Sequence, residues 1–559
     1  MAFLNNFTLE GLLSAEITAL AWDRIYLKLT VSLDQDLEPL TFYLVNEQGQ
    51  AKAILPQEKD GKNRVLTLNV TNPGNCRCLP EGTYRLVICR GDDALCVPKV
   101  SPSLLPALSE VNKTFLYENE TRGYALSFSE TGFTVTDQPV SPVAESIKGK
   151  AKKLIKGAIK TGVTGIYTGT HLLKPKHQKT ALFFTEQAEA LSTNLGAVKD
   201  RMEERDLKGW TIETSTRSIV EKRGTYGIGS WLDVAVKLGK ADVILVDDHA
   251  PILDWLTLRK DQTLIQLWHA GAGFKSSGYA RWGHGSCPAP YGAHRQYTYG
   301  IAGSKRIAHF FSEVWGINEE QVLPTGMPRM DDYLNPAHRA EVEEALKKEF
   351  PQILGKKVIL FAPTYRGTNH SDAHYPYELI DFNALYDFCG EEYVVLFKMH
   401  PWVPDAVPIP AGMEDKFLDL NHYQNINNLF YVTDLLITDY SSNIFEYSLM
   451  KKPMLFFAFD EAEYSISRGF HRNYKASAPG KVCATFPELM EALKTKDFQY
   501  EKVEDYIAQQ FDYIDSGASD RVIDWLILGQ LPEEFRKQLE QREELNRLLN
   551  KIQFTEVIS

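Results

Sequence analysis

Cysteine is scarce in this chain, with seven residues in 559. That is too few to staple so long a protein, which excludes a disulfide-framed secreted scaffold. Four of them, Cys76, Cys78, Cys89 and Cys96, lie close together. Cys-x-Cys and the irregular remainder do not match a zinc site, and their setting reads as small core residues of strands. No stretch approaches the ~20 uninterrupted apolar residues of a membrane span. Met1 to Glu10 lacks the basic and apolar regions of a signal peptide, so the chain is expected to stay in the cytoplasm. Excess positive charge is missing too: the formal net charge is −12, which argues against general nucleic-acid binding. Solenoid repeats and low-complexity tracts are absent. What remains is ordinary globular material, 44% hydrophobic and 24% charged, long enough for about three or four domains.

The pattern changes three times along the chain. Residues 1–140 alternate apolar and polar positions, as in Ile25–Leu27–Leu29–Val31, Leu66–Leu68–Val70 and Tyr84–Leu86–Ile88. Turn signals at Asn72-Pro73-Gly74 and Glu81-Gly82 divide them, so a small β-sandwich is expected, an accessory domain without catalytic residues. From Ser146 to Thr185 there is no Asp or Glu, while lysines stand at 148, 150, 152, 153, 156, 160, 174, 176 and 179. Ile147, Ala151, Leu154, Ile155, Ala158 and Ile159 recur among them at helical spacing. Residues 141–180 therefore read as a basic amphipathic segment suited to an anionic membrane surface, or else as a solvated linker helix packed on a neighbour. Glycines at 149, 157, 162 and 165 weaken such a helix.

From 181 onward apolar strands alternate with amphipathic helices. The strands Ala181–Phe184, Val243–Val246, Thr263–Trp268, Tyr299–Ala302, Val358–Phe361, Tyr393–Phe397, Leu435–Thr438 and Met454–Phe457 are mostly continuous apolar runs, as buried parallel strands require. The expectation is α/β with two doubly wound domains, 181–345 and 346–530, followed by a charged helix in 531–559. Ligands of such sheets bind beyond the carboxyl ends of the strands. Four polar clusters fall there: His269-Ala270-Gly271-Ala272-Gly273-Phe274-Lys275, Ala362-Pro363-Thr364-Tyr365-Arg366, Lys398-Met399-His400-Pro401 and Asp439-Tyr440-Ser441-Ser442. The last precedes a helix through Asn443–Met450, whose unpaired N–H groups and serine hydroxyls form either a phosphate cradle or an ordinary serine cap.

Trp268-His269, Gly326-Met327-Pro328-Arg329-Met330-Asp331, Phe361-Ala362-Pro363-Thr364-Tyr365-Arg366, His400-Pro401, Ile437-Thr438-Asp439-Tyr440-Ser441-Ser442 and Arg468-Gly469-Phe470 occur in that order. Together, over about 181 to 530, they resemble the CDP-glycerol glycerophosphotransferase family, the teichoic acid polymerases and primases. The resemblance implies a GT-B fold, no metal dependence and peripheral attachment to the inner face of the cell membrane. Glycerol-phosphate members usually read Trp-His-Gly-Thr-Pro-Leu-Lys after the strand; the loop here looks more like the ribitol-phosphate polymerase branch. Arg468-Gly469-Phe470-His471-Arg472-Asn473-Tyr474 departs again, since the family often has Tyr and Asp at the positions of His471 and Asn473.

The resemblance implies CDP-ribitol or CDP-glycerol as donor, a lipid-linked teichoic acid as acceptor and CMP as product. His269 matches the family's base and His400 its second histidine. Imidazole titrates near working pH, as that chemistry needs. Arg366, Lys398, Asp439, Ser441, Ser442 and Arg468 are expected on the donor's pyrophosphate, and Glu446 either on its ribose or on the surface. Gly271, Lys275, Arg329 and Asp331 are expected in the acceptor-side loops. No Asp-x-Asp ends a strand, the side chains of Asp247-Asp248 should point apart, and His284, His294 and His309 have no ligand spacing, so no cofactor or Mg²⁺ is expected. Two rival readings share these features: a GT-B glycosyltransferase or epimerase using a nucleotide sugar, and a non-catalytic membrane-surface protein that binds polymer.

Overall fold

The computed structural model describes residues 13–91, 93–140, 147–172, 178–191, 193–219, 226–271, 274–284, 287–368 and 370–554. Ala272 and Gly273 of the glycine-rich loop lie outside the described residues, as do 141–146 and 173–177 of the basic segment.

Between Ala15 and Pro139 the chain forms a five-stranded and a seven-stranded sheet, mostly antiparallel. Period-two burial drives this: in Tyr26–Leu33 the side chains of Leu27, Leu29, Val31 and Leu33 are buried and their neighbours are not. Buried residues of both sheets make one apolar cluster. Cys89 and Cys96 are buried on strands of these sheets, and Cys78 is buried in the loop between Asn63–Asn69 and Gly82–Arg90. The cluster also takes in Tyr279 and Trp282 from far along the chain. Trp282 stacks on Phe115 at 4.9 Å and meets Tyr124 at 4.7 Å.

A helix α1 (Ile147–Leu172) follows, continuous through its glycines. Its second half is anchored by buried Val163 and Tyr167, while Leu154, at 77% exposure, and Ile159 face outward. It packs on α3 (Ile228–Lys240) so closely that a Cβ at Gly239 would lie 2.6 Å from the Tyr167 carbonyl oxygen.

Two parallel six-stranded sheets make up the rest. The first lobe contains β1 (Lys179–Thr185), β2 (Trp210–Thr216), β3 (Val243–Val246), β4 (Thr263–Gln266), β5 (Tyr299–Ile301) and β6 (Val322–Leu323), in the order β2-β1-β3-β4-β5-β6. The second contains β7 (Lys357–Phe361), β8 (Tyr393–Phe397), β9 (Phe417–Asp419), β10 (Leu435–Thr438), β11 (Met454–Phe457) and β12 (Lys481–Cys483), in the order β9-β8-β7-β10-β11-β12. The central strands are apolar on both faces because helices cover both: all four residues of β3, β10 and β11 are buried. The helices that bear on the site are α1, α2 (Thr193–Glu204), α3, α4 (Ile444–Ser448), α5 (Glu501–Gln510), α6 (Ala518–Arg521) and α7 (Glu533–Leu549).

The second lobe's C-terminal helices return to the first. The N–H of Asp512 donates to the Gly303 carbonyl at 3.0 Å. Arg201 and Arg205 pair with Asp520, and Arg205 reaches Asp524 at 2.6 Å. Beyond α7, Phe554 is fully buried beside Val45 and Val87 of the N-terminal sheets. Residues of both lobes share one apolar cluster, so the strand ends of the two sheets are held face to face.

Candidate functional site

The loop after β4 is built around a strained residue. Trp268 has φ 52°, the left-handed region that a bulky side chain avoids. Hydrogen bonds hold it there. Gln266 Oε1 accepts from the Trp268 N–H at 2.9 Å, and Asn194 on α2 donates to the carbonyls of Leu267 and Trp268 at 3.1 and 2.8 Å. This conformation turns His269 outward, its side chain about half exposed and stacked on Trp268 at 4.4 Å. His269 Nδ1 lies 3.2 Å from the Asp247 carbonyl oxygen. A carbonyl only accepts, so Nδ1 carries the proton and Nε2 presents a lone pair. The Asp248 carboxylate stands 3.5 Å from the same Nδ1, placed to stabilise the imidazolium that forms once Nε2 takes a proton.

The next segment joins the lobes. Lys275 pairs with Phe470 as an antiparallel bridge, the Ser276 N–H donates to the Gly469 carbonyl at 3.0 Å, and the His471 N–H donates to that of Phe274 at 3.1 Å. The Lys275 ammonium lies over the Tyr464 ring at 5.8 Å and has no hydrogen bond or ion pair among the described residues. Burial, with Arg468 and Arg366 adding to it against the pull of Asp439, brings it down to about 8. Gly271 lies against Phe445 of α4: a Cβ there would come within 2.2 Å of that ring. His269, Gly271, Lys275, Tyr440, Ser442 and His471 line one cavity of about 320 Å³ at the joint, in the range of small-molecule sites.

Under this cavity lies a fully satisfied polar base. Asp439 has no exposed surface; it accepts from the Thr364 N–H and hydroxyl at 2.8 and 3.0 Å, and from Arg366 at 2.9 Å. Arg366 also grips Asp460 with two hydrogen bonds, at 2.6 and 2.9 Å. The pair expected on the pyrophosphate thus sits beneath the cleft and shapes its floor. The helix after β10 is also shorter than expected. Asn443 occupies the cap position, α4 spans only Ile444–Ser448, and the Ser441 hydroxyl accepts from the Asn443 N–H at 3.2 Å, leaving Ser442 as the serine that lines the cavity. Glu446 is buried in an ion pair with Arg329, which also donates to the His269 carbonyl. Asp331 accepts from the N–H groups of Ala518 and Ser519, both at 2.8 Å, and so caps α6.

On the second lobe's rim, His400 Nδ1 accepts from the Trp402 N–H at 3.1 Å, so its proton sits on Nε2. Burial, then the charges of Lys275 and Lys398, push it down to about 4; the ring is neutral at physiological pH and a fixed donor. Lys398 is buried and donates to the carbonyls of Met399 and Asn421 at 3.1 and 3.2 Å. Arg468 donates to the Tyr365 hydroxyl and the Gly367 carbonyl, both at 3.1 Å. Burial and the neighbouring Arg468 lower the pKa of Arg281. In a chain of net charge −12, Arg468 standing close enough to add to the lowering of both Lys275 and Arg281 marks a place built for an anion. Asn194, Arg281 and Asp460 escape sequence reading, because nothing in their local spacing distinguishes them from surface or capping residues; Asp248 stands out in the sequence only as a metal-ligand candidate, not as the partner of His269.

A family model described as CDP-glycerol:poly(glycerophosphate) glycerophosphotransferase matches residues 166–528. The chain is 32% identical over 551 residues to the teichoic acid ribitol-phosphate polymerase TarL of Staphylococcus aureus, a match covering 91% of this chain and 98% of that protein. It is 38% identical over 364 residues to the teichoic acid ribitol-phosphate polymerase TarK of the same organism, covering 64% of this chain and 70% of the other. Among solved structures it is similar in fold to the wall teichoic acid polymerase TagF, with a TM-score of 0.51 and 23% identity over 71% of this chain and all of the other. The shared architecture is GT-B-like, two facing doubly wound sheets.

Proposed function

The chain belongs to the CDP-glycerol:poly(glycerophosphate) glycerophosphotransferase family, and on that premise we propose that it adds ribitol phosphate from CDP-ribitol to the end of a lipid-linked teichoic acid chain, releasing CMP. It is a transferase, a CDP-polyol phosphotransferase that polymerises polyol-phosphate units. Ribitol is favoured by the relatives that carry the name, one matching along nearly its whole length. The observation that carries the mechanism is the pair of opposed tautomers. His269 offers a bare Nε2, and His400 offers a fixed Nε2–H.

In this reading the acceptor's terminal hydroxyl gives its proton to His269 Nε2, and its oxygen bonds to the polyol-bearing phosphorus. The bond from that phosphorus to the bridging oxygen breaks, and the electron pair leaves with CMP. Asp248 and the Asp247 carbonyl hold the imidazolium. Lys275, Ser442 and the His400 Nε2–H meet the phosphate oxygens, with Arg468 and Arg281 adding positive potential behind them. Arg366, Asp439 and Asp460 keep the floor rigid, and Arg329 with Glu446 fixes the His269 loop against α4. The side-chain cations take the role a divalent ion plays elsewhere, so turnover should survive EDTA. The N-terminal sheets read as a sandwich-type accessory domain, and the lobes divide near 345. α1 reads as the contact with the inner face of an anionic membrane, its exposed Leu154 and Ile159 continued by Ile228 and Leu232 of α3.

A panel of CDP-ribitol, CDP-glycerol and UDP-sugars with a lipid-linked acceptor analogue tests this. CMP release and lengthening product are expected with CDP-ribitol first, and His269→Ala should cost about a hundredfold or more in rate. Nucleotide release from UDP-sugars alone would overturn the reading.

A further inference from the structure

The catalytic cleft has a larger neighbour. A cavity of about 1170 Å³ lies between the N-terminal sheets, α1 and the first lobe, above the roughly 300–1,000 Å³ that hold one small ligand. Its walls include Arg122 from the sheets, Lys156 and Lys160 from α1, and Tyr291 from the loop before β5. The two cavities share Trp268 and Val314 as common lining. Asp248 lines the large one while its carboxylate faces His269 of the small one.

We propose that this second cavity is the track of the acceptor, taking the polyol-phosphate units that precede the reacting terminal hydroxyl. The inference rests on the polyol-phosphate transfer proposed above and adds where the polymer lies. Three observations carry it. The shared Trp268 and the Asp248–His269 pair put the mouth of the track beside the base, where the nucleophilic hydroxyl is needed. Arg122 is held by the Tyr117 hydroxyl at 2.7 Å and Asp137 at 3.0 Å, a preset cation on one wall. Lys156 and Lys160, exposed and without ion pairs among the described residues, supply further cations from α1. Glu118, Asp137, Asp248 and Asp254 line the cavity as well; the cations suit phosphates and the carboxylates can accept from polyol hydroxyls, so a chain alternating phosphates with hydroxyl-rich spacers suits this mix of both signs. The location fits as well: α1 is the element read as lying on the lipid surface, so a chain leaving its lipid anchor meets the cavity on that side.

The test uses the full chain, lipid-free oligo(ribitol phosphate) and no vesicles, so that membrane binding plays no part. For the doubly charge-reversed Lys156→Glu, Lys160→Glu protein, the KM for a long oligomer relative to that for a single-unit acceptor should rise about tenfold or more, the scale of two phosphate contacts turned repulsive. Donor KM serves as the internal reference. Tyr291→Ala, on the other wall, should shift the same ratio in the same direction. Oligomer binding without donor, followed by tryptophan fluorescence, should weaken in parallel. An unchanged ratio and unchanged oligomer affinity in both variants would overturn the track. Wild-type protein that binds the oligomer but releases no CMP from CDP-ribitol would overturn the transfer reading and leave the track supported by the binding arm.

Discussion

At the scale of single residues, the free cation in the cleft sets a pH limit. In the proposed transfer Lys275 holds the donor's phosphates as an ammonium, and it loses its proton as pH rises through about 8. Second-order turnover of CDP-ribitol should therefore fall on the alkaline side of that value. His400 sits near 4 and contributes no change between neutral pH and that limit. Lys275→Met should lower kcat/KM by about a hundredfold, the scale of a lost electrostatic donor, and abolish the alkaline limb. Lys275→Arg should move the limb upward, because guanidinium stays charged. A Lys275→Met enzyme that keeps the limb would assign it to another group. The same scale shows what residue type alone leaves out. Arg366 and Asp439 are the residue types that bind phosphate and sugar, yet their partner Asp460 stands far along the chain. Only the fold reveals that the two saturate each other.

At the scale of elements, the site depends on how closely one loop approaches one short helix. Gly271 packs where a Cβ would be 2.2 Å from the Phe445 ring. Gly271→Val should force the loop away from α4, separate Lys275 and His269 from Ser442, and cost well over tenfold in kcat, with a stability loss of about 1–3 kcal/mol from overpacking. Phe445→Ala in the same chain should recover part of the activity; absence of any recovery would mean the glycine acts otherwise. The central strands were legible because burial on both faces writes them as unbroken apolar runs, and the polar clusters at their ends were legible for the same reason. β2, with its alternating polar residues and exposed edge, carries no such run. β6, β9 and β12 are two or three residues long, too short for periodicity to register. Asp331 as the cap of α6 is a tertiary outcome that no local spacing announces.

At the scale of the whole molecule, the N-terminal sheets are part of one body with the first lobe. Trp282 belongs to the lobe's chain but sits in the sheets' core, 3% exposed between Phe115 and Tyr124. Glu313 is buried and accepts from Arg24 at 2.9 Å and from the Tyr26 hydroxyl at 2.7 Å. Burial, then the charge of Glu313, raise the pKa of that hydroxyl well above the ordinary tyrosine range, so it remains a donor at every working pH. Trp282→Ala removes a large buried ring, at a cost of about 3–5 kcal/mol. That loss is concentrated at the junction, so calorimetry should show two unfolding transitions where the intact protein shows one. Because the sheets form a wall of the larger cavity, the variant should also lose its preference for long acceptors before it loses affinity for the donor, whose site lies at the other joint. A single transition at lower temperature, with donor and acceptor affinities falling together, would instead make the sheets a stabilising appendage with no part in holding the polymer.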